Sequence, residues 1–336
     1  MSFAQLPNIK FAPLNVPFPR RRQTAAVAMW MFLVPLFVVI FLAVLFTPRL
    51  TLLALGYLVF IFIDKSHETG GRAVAAFRKF IYWTWVKDFF PINLEKTTDL
   101  DPAKNYIFGY HPHGIIGLGA WINFATEASQ FSEKFPGINL RLLTLETNFL
   151  IPLWREVLLS LGICSVSRKS CENVLKKGPG NSIMIVVGGA AEALHAFPGT
   201  NELVIKSRYG FVKLALRNGA SLVPVYSFGE NDIWDQVPNP KGSVVHTVQT
   251  SFRKYFSFSS PLFHGRGFIN YDYGLLPYRR HVVSVVGTPI DCPKTESPSD
   301  ELVQEYHQKY LEGLQAIFDK YKDQYAKDRK GDLTFI

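Results

Sequence analysis

Apolar and polar positions divide the chain into three stretches with different periods. After a proline-containing arm and the cluster Arg20, Arg21, Arg22, residues 25–46 form 22 consecutive positions without a charge. At 1.5 Å per residue such a run is long enough to cross a bilayer core of about 30 Å. A second apolar run, 50–63, has 14 residues and stops at Asp64 and Lys65. Basic residues flank both outer ends and only Arg49 lies between the runs, which predicts a helical hairpin entering and leaving on one side. Residues 66–100 then mix aromatic rings with lysine and arginine, a composition suited to the headgroup zone or to a helix packed on a soluble domain.

From Tyr106 onward short apolar runs alternate with segments of helical period. The runs 106–110, 140–145, 182–187, 202–205, 221–227 and 282–286 predict strands; 115–131, 170–177 and 207–217 predict helices, the last two ending in Lys-Lys-Gly and Asn-Gly. A closing helix over 298–325 is announced by Ser297 with Asp300 as a capping pair, followed by apolar positions at steps of three and four. The reading is an α/β protein whose mixed, largely parallel sheet is covered by helices, behind an N-terminal transmembrane hairpin. Four regions follow: a cytosolic arm (1–22), the hairpin (23–65), an interfacial connector (66–100) and a cytosolic catalytic domain (101–336).

Charge narrows the partners. The 36 Lys and Arg against 27 Asp and Glu give +9, with a pI near 9.3, which suits an anionic membrane surface or a phosphorylated ligand. No zinc-finger, RNP1 or arginine-rich stretch is present, so nucleic acid is set aside. Cys164, Cys171 and Cys292 form no CxxC pair and leave an odd count. They predict reduced thiols and no disulfide framework.

Candidate chemistry gathers at three breaks after predicted strands, the edge at which open α/β sheets bind ligands. The first holds His111, Pro112, His113 and Gly114, with the histidines fixed on a tight turn. A neutral imidazole beside a helix start is disfavoured as a cation, which keeps it available as a base. The second break, Gly188 and Gly189 followed by Glu192, offers close backbone approach and a carboxylate to orient or charge-balance a turn histidine. The third carries Glu230 and Asp232 as rival carboxylates. Arg208 and Lys213 on one helix, with Arg266, Arg279 and Arg280 later, are candidate phosphate contacts. His195 is the best third ligand if His111 and His113 held a metal; no metal or other cofactor is expected. A Gly-x-Ser-x-Gly elbow and a Walker A loop are both missing.

Taken together, Tyr-Ile-Phe-Gly-Tyr-His-Pro-His-Gly (106–114), Val-Gly-Gly-Ala-Ala-Glu (187–192), Arg-Tyr-Gly-Phe-Val-Lys (208–213), Val-Pro-Val-Tyr-Ser-Phe-Gly-Glu-Asn-Asp (223–232), Gly-Arg-Gly (265–267) and Val-Val-Gly-Thr-Pro-Ile (285–290) resemble the type-2 diacylglycerol acyltransferase family, close to its fungal members. The resemblance runs from about residue 20 to 330. It implies a glycerolipid-acyltransferase-like fold, an endoplasmic-reticulum anchor with cytosolic termini, and extension to the lipid-droplet surface. The implied reaction is acyl transfer from acyl-CoA, as cosubstrate, to diacylglycerol, giving triacylglycerol. In the wider glycerolipid acyltransferases a histidine and an aspartate stand four residues apart; here Ile115 and Gly117 follow His111 and His113 at that distance, so any assisting carboxylate comes from elsewhere.

On this reading His113 is the base, His111 shapes the turn or polarises the thioester, and Glu192 assists. Pro112, Gly114, Gly188, Gly189, Arg208, Lys213, Glu230 and Arg266 line the substrates. Monoacylglycerol or a long-chain alcohol is an alternative acceptor within the family. Outside it stand a metal-assisted lipid hydrolase and a non-catalytic lipid-binding protein. The expected partners are the bilayer, acyl-CoA and diacylglycerol, and the sequence is compatible with a homo-oligomer.

Overall fold

A computed structural model describes residues 9–13, 15–238, 242–243 and 261–336; the first eight residues of the predicted arm lie outside it. Seven runs form the main sheet: Ile92–Lys96 (β1), Tyr106–His111 (β2), Asn139–Thr144 (β3), Cys164–Ser165 (β4), Asn181–Val186 (β5), Ser221–Phe228 (β7) and Val282–Val286 (β10). Their spatial order is β1-β10-β7-β2-β5-β3-β4. All neighbours are parallel except β10 against β7, so the mixed, largely parallel sheet expected from the alternation is present. Two short ladders stand apart: Glu202–Leu203 (β6) with Thr334–Phe335 (β11), and Asp235–Gln236 (β8) with Phe263–His264 (β9). The predicted strand 202–205 therefore belongs to a side ladder.

Strand β2 occupies the middle of the sheet, between β7 and β5, with all six residues buried. Its side chains alternate between two cores, as a period of two requires. Tyr106, Phe108 and Tyr110 join one cluster and Ile107 the other. The first core also takes β1, which the sequence reading left in the connector 66–100. That strand alternates over only four residues, with Ile92 and Leu94 its two apolar positions, and ends in Glu95 and Lys96, so its apolar signal is short, yet it pairs along its whole length with β10.

The helices in order are Phe18–Leu45 (α1), Thr51–Ile63 (α2), Ala75–Arg78 (α3), Ile81–Phe89 (α4), Leu118–Ala120 (α5), Phe131–Lys134 (α6), Trp154–Leu161 (α7), Arg168–Leu175 (α8), Gly189–Ala193 (α9), Gly210–Asn218 (α10) and Asp300–Tyr325 (α11). The expected helix over 115–131 is in fact broken. Only α5 and a wide π-turn at Trp121–Ala125 form, because Asn123 is buried to donate to Asn93 O and Ser284 Oγ and Thr126 Oγ1 closes back on Ile122 O. Helix α11 starts at Ser299, whose hydroxyl accepts Leu302 N–H at 3.2 Å, two residues beyond the predicted cap. It docks by one face: Val303, His307, Tyr310, Leu314, Ile317 and Phe318 are buried.

Helix α1 has 28 residues, and its most apolar window has a mean hydropathy of 2.8 with only 17% of that window buried. It is the one helix among the described residues long and apolar enough to cross a membrane. With 13 residues, α2 reaches only about 20 Å. Both helices are tied to the sheet domain by polar contacts at their ends. Arg279 donates to Gln23 Oε1, Thr24 Oγ1 and Arg20 O and lies 4.1 Å over Phe89. Tyr82 Oη donates to Ala26 O at 2.8 Å. On α2, Tyr57 donates to Glu156, and the chain leaves the helix at Asp64, which pairs with the fully buried Arg155 at 2.9 Å.

One contact joins α11 to β2 and forces a residue type. Tyr310 Oη donates to Gly109 O at 2.9 Å, and a Cβ on Gly109 would stand 2.0 Å from that hydroxyl. Gly109→Ala is expected to displace α11 and to lower stability by about 1–3 kcal/mol. A depressed thermal midpoint of the detergent-solubilised protein checks this, and an unchanged midpoint would refute it.

Candidate active site

Beyond β2 the chain turns through a cis peptide bond between His111 and Pro112, then passes Gly114 (φ 59°) and Gly117 (φ 65°) before α5 begins. Two buried carboxylates hold this loop from either end. Glu192, on α9, accepts His113 N–H at 2.5 Å on Oε1 and Val204 N–H at 2.7 Å on Oε2. Glu230, just after β7, accepts Leu118 N–H at 2.7 Å on one oxygen, and Gly119 N–H at 3.0 Å and Tyr110 Oη at 2.7 Å on the other. Each carboxylate thus satisfies backbone donors that the turn would otherwise bury unpaired.

The glycines of the motifs follow from these two side chains. A Cβ on Gly188 would meet Glu192 Cδ at 2.2 Å, and one on Gly114 or Gly119 would meet Glu230 at 2.8 or 2.6 Å. Small residues are needed because the carboxylates lie directly against the backbone. Burial raises both acids to about 7, against the lowering effect of their hydrogen bonds. Neither carboxylate touches an imidazole. The expected roles change accordingly: Glu192 positions the backbone of His113, and Glu230 caps the start of α5 where a substrate contact was expected. The positive end of that short helix is therefore taken by Glu230, and burial, in place of the helix dipole, keeps the histidines neutral.

The two histidines part company. His111 is fully buried, with Nε2 3.2 Å from Tyr310 Oη. Since that hydroxyl gives its proton to Gly109 O, it can only accept from His111, which places the ring hydrogen on Nε2. Nδ1 is left without a partner among the described residues, and burial pushes the ring down to about 3. Buried against Tyr310, His111 lines neither of the two cavities described below, which suits the expected role of shaping the turn better than that of polarising a thioester.

His113 is half-buried and lines a cavity. Its Nδ1 lies 3.0 Å from Gly114 O. A carbonyl can only accept, so Nδ1 carries the hydrogen and Nε2 presents its lone pair. Burial lowers its pKa, partly offset by the Gly114 carbonyl, and the ring is neutral at pH 7. It has the tautomer of a general base, oriented by a backbone carbonyl in the place where other sites use an acid.

The cavity in front of His113 measures about 630 Å³ and is walled by Trp30, Met31 and Val34 of α1, by Ile115 and Trp121, and by the open faces of Gly189 and Ala193. Trp30 packs edge-on against Trp121, which stacks on Trp154 at 5.5 Å. Helix α1 is therefore one wall of the site, a role its hydropathy alone did not reveal. A second, polar cavity of about 420 Å³ is lined by Pro112, by the loop from Pro198 to Asn201, and by Asn231 and Arg280.

Other predicted residues disperse. Arg208 Nη2 reaches Gly188 O at 3.4 Å, close to Glu192. Lys213 pairs with Asp300 at 3.1 Å, and Arg266 is buried over Tyr271 with Nε on Gly267 O; neither lines either of these two cavities. Their charges answer local partners, which sequence position does not disclose. His195 is exposed beside Glu202, apart from His111 and His113, so the three histidines do not converge as a ligand set. Among the described residues the group close enough to share an ion is His67, Glu68 and Glu146, which includes none of them.

A family model described as diacylglycerol acyltransferase matches residues 42–335. Diacylglycerol O-acyltransferase 2 of Dictyostelium discoideum is 53% identical, covering 97% of this chain and 99% of that protein. Diacylglycerol O-acyltransferase 2B of Umbelopsis ramanniana is 50% identical over 98% and 96%. A 2-acylglycerol O-acyltransferase 1 from Bos taurus is 46% identical over 97% and 99%.

Because Glu192 holds two amides at once, Glu192→Gln must turn its NH₂ toward one of them. Amide exchange at His113 or Val204, measured at fixed pH, is expected to quicken about tenfold. Unchanged protection at both positions would contradict the clamp.

Proposed function

The chain belongs to the diacylglycerol acyltransferase family, and on that premise we propose that it transfers a fatty acyl group from acyl-CoA to the free hydroxyl of diacylglycerol with His113 as general base. The observation that supports this reading is that His113 lines an apolar cavity with its Nδ1 3.0 Å from Gly114 O, which leaves Nε2 without a hydrogen.

The alcohol is a poor nucleophile at neutral pH, since its own pKa lies far above 7. As its oxygen attacks the thioester carbon, Nε2 takes the proton, a contribution of roughly 10²- to 10⁴-fold. The imidazolium so formed is held by Gly114 O. Collapse of the tetrahedral intermediate breaks the carbon–sulfur bond, and the proton passes to the departing thiolate, leaving an ester, CoA thiol and a neutral ring. A good leaving group makes an acyl-enzyme unnecessary. Glu192 and Glu230 are positioning residues, fixing the loop so that Nε2 stays aimed at the acceptor.

In this account α1 and α2 form an anchor in the endoplasmic-reticulum membrane, both outer ends on the cytosolic side, where Arg20–22, Lys65, Arg72, Arg78 and Lys79 stand. The acceptor, dissolved in the bilayer, reaches His113 past Trp30, Met31 and Val34. The same anchor suits a lipid-droplet surface, whose core is equally apolar. A second acceptor class, monoacylglycerol, is favoured by the 46% identity to a 2-acylglycerol acyltransferase.

Two measurements test the reading. Solubilised protein given labelled oleoyl-CoA and dioleoylglycerol is expected to form triacylglycerol, and His113→Ala to lose about 10²-fold or more; turnover within tenfold of the parent removes His113 from the mechanism. The pH profile follows from the signs of the shifts. His113 must be deprotonated, which its lowered pKa ensures above the usual histidine range, and the clamps need carboxylates, which predominate only above about 7. Transfer is therefore expected to fall as pH drops through about 7 and to level off above it. A profile flat from 6 to 8 would contradict this.

A further inference from the structure

The two cavities share one partition. The histidine loop supplies Pro112 to the polar cavity and His113 to the apolar one, and the segment that starts at α9 supplies Pro198, Gly199 and Asn201 to the first and Gly189 and Ala193 to the second. Glu192 ties the two loops together inside that wall. Helix α1 works as a depth gauge alongside. Arg279, next to the cavity residue Arg280, binds Arg20, Gln23 and Thr24, whereas the apolar cavity meets Trp30, Met31 and Val34, roughly 10 Å farther along the axis at 1.5 Å per residue. The polar cavity therefore lies toward the charged start of the helix and the apolar one against its middle.

The polar cavity is equipped for an anion with a hydrogen-bond donor. Asn231 is 7% exposed; its Nδ2 donates to Thr200 O, and its buried Oδ1 has no partner among the described residues. Arg280, Lys327 and Lys330 stand on the rim, exposed and in no ion pair among the described residues. Of the acids on this wall, Asp232 is occupied by Gly199 N–H and Asp235 lies beside the Tyr278 hydroxyl; Asp328 is exposed. Arg329 is already paired with Asp323 and Asp332.

We propose that this cavity seats the adenosine 3′,5′-bisphosphate end of acyl-CoA, with Arg280 and Lys330 on the phosphates and Asn231 Oδ1 accepting from the adenine amino group. This rests on the acyl-CoA reading above and extends it to a site. An amphipathic thioester then lies across the partition: head in the polar cavity, acyl chain in the apolar one, and the reactive carbonyl at their junction, beside His113. Opposite solubilities of the two ends set the direction, since a phosphorylated head is strongly disfavoured at the depth of Trp30.

The test uses the full chain in detergent with oleoyl-CoA and dioleoylglycerol. Arg280→Glu with Lys330→Glu is expected to raise KM for oleoyl-CoA about tenfold or more and to leave KM for the glyceride in place, because a charge-assisted phosphate contact is lost. The same reversal at Lys176, which lines neither cavity, is expected to leave both unchanged. Free CoA should compete better than dephospho-CoA in the parent, and equally well in the double variant. An unmoved KM for oleoyl-CoA, a shift in the glyceride KM, or equal competition in the parent would overturn the site while transfer itself persisted. Absence of transfer in the parent would instead overturn the acyltransferase reading, and CoA binding by the parent and double variant, followed by titration calorimetry, would still decide the cavity.

Discussion

Two buried carboxylates bonded to backbone amides are the constraint on which the site depends. Glu192 and Glu230 reach the histidine loop from separate parts of the sheet edge, and each spends its oxygens on N–H groups that the turn leaves without a helical or sheet partner. A buried carboxylate with no compensating donor would be costly, and buried amides without an acceptor equally so. Each offsets part of the other's penalty. The outcome is a loop whose shape is set by the scaffold and whose His113 ring needs only its neighbour's carbonyl to fix the tautomer.

That arrangement explains why three glycine-rich motifs far apart in sequence belong to one site. Gly188 makes room for Glu192; Gly114 and Gly119 make room for Glu230. Gly229 (φ 83°) lets the chain leave β7 past His281 O, setting Glu230 beneath the loop. Tyr310 closes the back of the motif against Gly109 and His111. The two histidines, two positions apart, face opposite ways: His111 turns into the core, and His113 into the cavity.

Much of the fold was legible because its strands are apolar runs between breaks, and β2, β3, β5, β7 and β10 lie within a residue or so of the predicted ranges. Strand β1 escaped because a five-residue edge strand with only Ile92 and Leu94 apolar gives too short an alternation to stand out. The helix predicted over 115–131 failed where Asn123, a buried polar residue, took tertiary partners over helical continuation. Of the site, the histidine pair and both glutamates were legible as chemistry at strand ends. Their roles were not, because a carboxylate binding amides 79 and 12 positions away leaves no local pattern. The same holds for α1: hydropathy marks it as long and apolar enough to cross a membrane, but only the Trp30 contact to Trp121 reveals that it walls the cavity.

His113 offers a bare Nε2 because Gly114 O holds the hydrogen on Nδ1. Nitrogen NMR of the solubilised protein with ¹⁵N-labelled imidazole, assigned by comparison with His113→Gln, reads this directly. At a pH above 7 a neutral ring with a protonated Nδ1 and an unprotonated Nε2 is expected. A proton on Nε2, or a charged ring, would contradict it.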